Sequence, residues 1–191
     1  MTPHTLPRWI VPASLALFAG TASAHTGDHA VTGFVSGLEH PFMGLDHLFA
    51  MIAIGLWAAQ QGGRALWAVP AAFVGAMLAG GGLAGSGITL PHVETGIAAS
   101  VLVLGLLIAT RRQWAVTAGM ALAAGFALFH GYAHGLEMPL AASPMLYALG
   151  FVLATVTLHG AGILGRLAGR RAVELAGAGI AATGLALIFA L

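Results

Sequence analysis

The sequence predicts an all-α membrane protein with six transmembrane helices that follow a cleaved signal peptide. Its 191 residues are 59% hydrophobic and only 7% charged, whereas a soluble domain carries about 25% charged residues. The mean hydropathy is +0.92. Beyond the signal peptide there are six apolar runs, each near the ~20 residues that a helix needs to cross a bilayer. We therefore expect one six-helix domain, residues 25–191, embedded in lipid.

The first 24 residues have the pattern of a secretory signal peptide. Arg8 supplies a positive charge, residues 9–20 are apolar, and Ala-Ser-Ala at 22–24 is a small-residue cleavage site. The alternative is an uncleaved first helix, but the run is short and contains Pro12. Cleavage after residue 24 makes His25 the mature N-terminus.

The six spans follow one another with short connections. They occupy residues 41–60, 65–84, 92–110, 113–131, 144–165 and 172–191. Gly and Ala are frequent in their interiors, which lets helix backbones approach closely in lipid. Three pairs with small-xxx-small spacing therefore predict packing seams. These pairs are Gly75 with Ala79, Gly119 with Ala123, and Gly177 with Ala181.

The arginines predict the orientation of the spans. The chain has no lysine, and most of its arginines lie in or beside the loops after the first, third and fifth spans: Arg64, Arg111, Arg112, Arg166, Arg170 and Arg171. Loops 85–91 and 132–143 have none. Because Lys and Arg are enriched in cytoplasmic loops, we expect both mature termini in the periplasm.

Two clusters of ionisable residues lie on the outer side of this topology. Ionisable groups at membrane depth are costly and indicate a site or a pathway. The clusters are His40, Asp46 and His47 at the start of the first span, and His130, His134 and Glu137 at the end of the fourth. On continuous helices each cluster shares one face or adjacent faces. Imidazole nitrogen with carboxylate oxygen is a ligand set for a borderline divalent transition-metal ion.

The exported segment adds two candidate ligands, His25 and His29. The α-amine and imidazole of a processed His25 would together offer two nitrogens, although a solvated tail is an equally ordinary interpretation. His92 and Glu94 are either partners that orient ligands or interfacial polar groups. His159 is either a relay toward the cytoplasm or a helix–helix hydrogen-bonding residue.

Composition also excludes several classes of function. With no lysine and a net charge of +1, nucleic-acid binding has no support. The absence of cysteine excludes thiolate metal chemistry. No phosphate-binding Gly-x-x-x-x-Gly-Lys-Ser/Thr motif is present, so we expect neither a nucleotide nor any other cofactor.

The two clusters resemble the motifs of the HupE/UreJ family of bacterial membrane proteins. The first motif is His40, Pro41, Gly44, Asp46 and His47; the second is Phe129, His130, Gly131, Ala133, His134, Gly135 and Glu137. The resemblance covers the whole chain. It implies a secondary permease of the bacterial inner membrane that imports Ni²⁺, or in some members Co²⁺, for hydrogenase or urease maturation.

The residues by themselves leave two other functions open. His130, His134 and a carboxylate are also a ligand set for a catalytic zinc ion, which would make the chain an intramembrane metalloenzyme. A non-transporting metal sensor, or an accessory subunit of a larger complex, is compatible with the small size. We interpret the chain as a permease and not as an enzyme.

Overall fold

A computed structural model describes residues 33–140 and 142–191, which are helical and contain no strand. We number the α-helices along the chain: α1 Gly33–Glu39, α2 Leu45–Gln61, α3 Ala65–Gly85, α4 Val93–Thr110, α5 Val116–Glu137, α6 Pro144–Gly165 and α7 Arg170–Ala190. Short 3-10 helices cover His40–Phe42 and Arg166–Ala168. The predicted signal peptide, His25 and His29 lie outside the described residues.

The prediction of an all-helical membrane protein is confirmed. Helices α3 to α7 are each long and apolar enough to cross a membrane. A sixth span results if Gly33–Phe42 and Leu45–Gln61 are counted as one broken helix. The described part of the chain therefore contains five or six spans.

The first span differs from the prediction of one continuous helix over 41–60. Its axis turns by 80° between Gly33–Phe42 and Leu45–Gln61. Pro41 lacks the N–H that a continuing helix needs, and it sits at the start of the 3-10 turn. Gly44 then adopts an extended conformation (φ −115°, ψ 128°) as the N-cap of α2. The expectation that His40 and His47 share a face of one helix was therefore wrong.

The fourth span is also displaced from its prediction, over 113–131. Ala115 has extended backbone angles, so α5 begins at Val116 and continues to Glu137. The helix includes both predicted histidines and the glutamate of the second motif. Hydropathy places the start of this span too early because Gln113 and Trp114 belong to the connection before α5.

Glycines set the closest helix contacts. A Cβ added at Gly131 of α5 would overlap the carbonyl oxygen of Met77 in α3. Gly105 of α4 packs in the same way on Gly177 and Ala181 of α7, as one predicted seam requires. Such contacts bring backbones together where the hydrophobic effect does not drive helix association.

The other two predicted seams fare differently. Gly119 contacts Trp57 and Val69, and Ala123 is fully buried. A Cβ added at Gly75 would meet nothing within 4 Å from another helix among the described residues, and Ala79 is exposed. The seam predicted from that pair was wrong, because α3 packs on α5 through Gly80 instead.

The two ends of the bundle have different chemistry. At one end Gln60, Arg111, Arg166 and Arg170 line a cavity of about 210 Å³, and Arg170 donates to Glu174 at 2.8 Å. His47, at the other end of α2, lies 13 residues before Gln60, which corresponds to roughly 20 Å along the helix. The arginines and the histidine clusters therefore occupy opposite ends.

Candidate metal centre

Three buried histidines converge where the start of α2 meets the last turns of α5. His47, His130 and His134 are 8%, 0% and 3% exposed. One ring nitrogen from each lies within 4.8 Å of the other two. His130 and His134 are one turn apart on α5, so both face α2. The ring centroid of His47 is 4.1 Å from that of His134 and 4.9 Å from that of His130.

Asp46 holds the ring of His47. Its Oδ1 accepts hydrogen bonds from the backbone N–H and from Nδ1–H of His47, both at 2.8 Å. This contact needs a glycine before it, since a Cβ at residue 44 would lie 2.5 Å from Oδ1. With Nδ1 protonated, Nε2 of His47 carries a lone pair. That atom is buried and has no hydrogen-bond partner within the described part of the chain.

Ser100 of α4 holds His130 in a similar way. Its hydroxyl donates to the carbonyl oxygen of Ile97 at 2.7 Å, so its oxygen accepts Nε2–H of His130 at 2.8 Å. Nδ1 of His130 then carries the lone pair, and it too is buried and unpartnered among residues 33–140 and 142–191. Histidines that bind metals commonly donate their second N–H to such a partner, which fixes the tautomer and ring orientation.

A second, more exposed group shares His134 with the buried one. Nε2 of His40 lies 2.9 Å from Oε2 of Glu137, and Nδ1 of His134 lies 3.8 Å from the same oxygen. The side chain of His40 is 26% exposed and that of Glu137 is 51% exposed. The rings of His40 and His134 meet edge to face, with centroids 4.7 Å apart. The site therefore has an exposed edge that carries a carboxylate and a buried interior that consists of imidazole rings.

A family model described as "HupE / UreJ protein" matches residues 13–187 of this chain. The chain belongs to the HupE/UreJ family. "Protein HupE" of Rhizobium leguminosarum bv. viciae is 46% identical over 181 residues, which is 92% of this chain and 94% of the relative. No solved structure matches the chain.

Both motifs by which this chain resembles the HupE/UreJ family contribute to one site. The structure brings together His40, Asp46, His47, His130, His134 and Glu137. Asp46 was predicted to be a ligand. In the structure its Oδ1 accepts a hydrogen bond from His47, so its contact orients the ring of His47.

His92 and Glu94 are exposed at the start of α4, as the interfacial interpretation expects. Metal binding by this HupE/UreJ chain stays a prediction.

Ser100 is the residue that sequence reasoning missed. It is the single polar residue of the run from Ile97 to Ala109, and a lone hydroxyl in an apolar span is a usable signal. Its partner on another helix is not visible in the sequence.

A cavity adjoins the inner group of histidines. It has a volume of about 330 Å³ and lies between α3, α5 and α6. His134, Met77 and Phe151 line it, together with glycines of α3 and α5. Gly82 and Gly85 of α3 contribute open space, since a Cβ added at either would meet nothing within 4 Å among the described residues.

Proposed function

We propose that this chain is a secondary permease that imports Ni²⁺, or Co²⁺, across the bacterial inner membrane for maturation of a metalloenzyme such as hydrogenase or urease. The observation that carries the proposal is the convergence of three buried imidazoles, of which His47 and His130 are each fixed in one tautomer by a second residue. Leaving buried nitrogen atoms without partners costs about 1–3 kcal/mol each. A cation that these nitrogens coordinate would offset that cost.

The donor set favours a transition-metal cation over the abundant alkaline-earth ions. Imidazole suits nickel, cobalt and zinc, whereas calcium and magnesium take mostly oxygen ligands. Glu137 and His40 stand at the exposed edge and would receive the hydrated ion first. His134 belongs to both groups, so it would pass the ion inward as His47 and His130 replace the remaining water.

The positions of the arginines indicate the direction of ion transport. If the end with Arg111, Arg166 and Arg170 is cytoplasmic, the histidine end faces the periplasm. A membrane potential of 100 mV, negative inside, would contribute about 4.6 kcal/mol to the entry of a dication, at ~2.3 kcal/mol per charge. The described chain then needs no nucleotide-driven step.

Uptake by purified protein in liposomes tests this function. We expect radioactive Ni²⁺ to accumulate when a potassium diffusion potential makes the interior negative. His130→Ala should raise the nickel concentration for half-maximal uptake, whereas His92→Ala, at an exposed histidine outside the site, should not. Tight binding without accumulation would favour a sensor or accessory subunit. A metal-dependent hydrolytic activity without accumulation would favour the zinc-enzyme alternative.

A further inference from the structure

Below the histidine site a buried hydroxyl and two thioether sulfurs lie deeper in the bundle. Thr155 of α6 is fully buried, and its hydroxyl lies 3.5 Å from Sδ of Met51 and 3.8 Å from Sδ of Met77. Met51 is one helical turn beyond His47 on α2. Thr155 is one turn beyond Phe151, whose ring centroid is 4.0 Å from that of His134. The sulfur pair therefore lies directly inward of the three histidines.

The hydroxyl of Thr155 makes different contacts from those of three other threonines in the spans. Thr110, Thr157 and Thr183 each donate to the carbonyl oxygen four residues earlier, at 2.6, 2.8 and 3.1 Å. That bond is the usual one for a hydroxyl in a membrane helix. The contacts of Thr155 go to two thioether sulfurs on other helices, and sulfur is only a weak acceptor.

His159 continues the same face of α6 one turn further in. It is 2% exposed, and neither Nδ1 nor Nε2 has a hydrogen-bond partner in the described ranges. The helix–helix hydrogen bond considered for this residue is therefore not present there. Phe73 lies between the histidine site and His159, since its ring centroid is 5.8 Å from that of His130 and 5.3 Å from that of His159.

We infer that Met51, Met77, Thr155 and His159 form an inner binding position for the transported cation, on its way from the histidine site to the arginine end. This inference rests on the proposed function. The inner position has imidazole, thioether and hydroxyl donors and no carboxylate, so it would hold a dication more weakly than the outer site. Passage through a membrane requires such a series of sites, each weak enough to release the ion. The 330 Å³ cavity borders one residue of each site, since His134 of the outer site and Met77 of the inner position both line it.

Binding can be measured without transport. The samples are purified chains in nanodiscs of phosphatidylcholine, and the probe is radioactive Ni²⁺ in equilibrium dialysis. In the double variant His47→Ala/His134→Ala, which lacks most of the outer site, we expect a residual weaker site. Adding His159→Gln or His159→Leu should weaken it at least about tenfold, because even the loss of a ligand's outer partner costs 10–100-fold. Met51→Leu with Met77→Leu, which nearly conserves volume, should also weaken it.

A matched pair of threonines on α6 tests the same position during uptake. Thr155→Val should lower the maximal rate of nickel uptake without raising the half-saturating concentration, since the outer site is intact. Thr157→Val, at an exposed position two residues along, should leave both unchanged. Unchanged uptake in Thr155→Val would overturn the inference. It would also be overturned if residual nickel binding did not depend on His159, or if the His47→Ala/His134→Ala variant bound no nickel. If the wild-type chain does not transport nickel, the proposed function fails, while the dialysis still reports on the inner position.

Discussion

Replacing Ser100 by Ala separates the positioning of a ligand from the ligand itself. The hydroxyl oxygen of Ser100 lies 2.8 Å from Nε2 of His130, a ring that is 0% exposed. Without it, the buried Nε2–H loses its acceptor, at a cost of about 1–3 kcal/mol. The imidazole is then free to place its proton on Nδ1, which removes the lone pair from the centre of the three histidines.

The expected loss of nickel affinity in Ser100→Ala is large enough to measure. Removing the hydrogen-bond partner of a metal-binding histidine typically lowers affinity 10–100-fold, which corresponds to about 1.4–2.8 kcal/mol. We expect a shift of this size in the nickel dissociation constant of Ser100→Ala by isothermal titration. Coordination by the other two histidines should remain.

A second serine provides the control. Ser86 donates to the carbonyl oxygen of Leu83 at 2.7 Å, the same backbone contact that Ser100 makes with Ile97 at 2.7 Å. Ser86 is exposed, and its hydroxyl makes no hydrogen bond to a histidine within the described part of the chain. Ser86→Ala should therefore leave nickel affinity unchanged. If Ser100→Ala also leaves it unchanged while the protein stays folded, then Ser100 does not position His130, or His130 is not a ligand.

Three other predictions concern the neighbouring features. Asp46→Asn, which keeps an oxygen acceptor for His47, should weaken nickel binding less than Asp46→Ala; equal losses in titration would point to direct coordination through the charged oxygen. Gly131→Ala should lower thermal stability by about 1–3 kcal/mol of overpacking, because its Cβ overlaps the Met77 backbone. Gly125→Ala, with nothing within 4 Å in the described structure, should be tolerated, and similar melting temperatures for the two would contradict the packing. Mass spectrometry of the native protein should find its N-terminus at His25, as the cleavage signature predicts; an N-terminus at Met1 would refute processing.

Hydropathy predicts six spans, and the described structure has five, or six if the broken first helix is counted as one. The positions of His and Asp/Glu along the spans predict which end of the bundle holds the clusters. The sequence does not tell which spans adjoin. Whether His47 meets His130 depends on glycine contacts such as Gly131 on Met77, which bring α5 close to its neighbours. Local spacing predicts well where the helix is continuous, as for His130 and His134 on α5.

The sequence spacing of residues failed to predict which side chains share a helix face where the helix breaks. His40 and His47 were assigned to one helical face, but Pro41 and the extended Gly44 turn the chain by 80° between them. The two residues still reach His134, from different directions. Ser100 could be noticed as a lone hydroxyl in an apolar run, whereas Thr155 has Thr157 two residues away and does not stand out. The partners of both hydroxyls come from helices distant in sequence.

X-ray absorption at the nickel edge tests most directly whether buried imidazoles hold the ion. For the wild-type chain loaded with one equivalent of Ni²⁺, the account predicts outer-shell scattering from three imidazole rings, with the remaining ligands nitrogen or oxygen. His130→Ala should reduce the fitted number of rings by one, and His92→Ala should leave it unchanged. A spectrum with only oxygen ligands and no imidazole scattering would contradict the account.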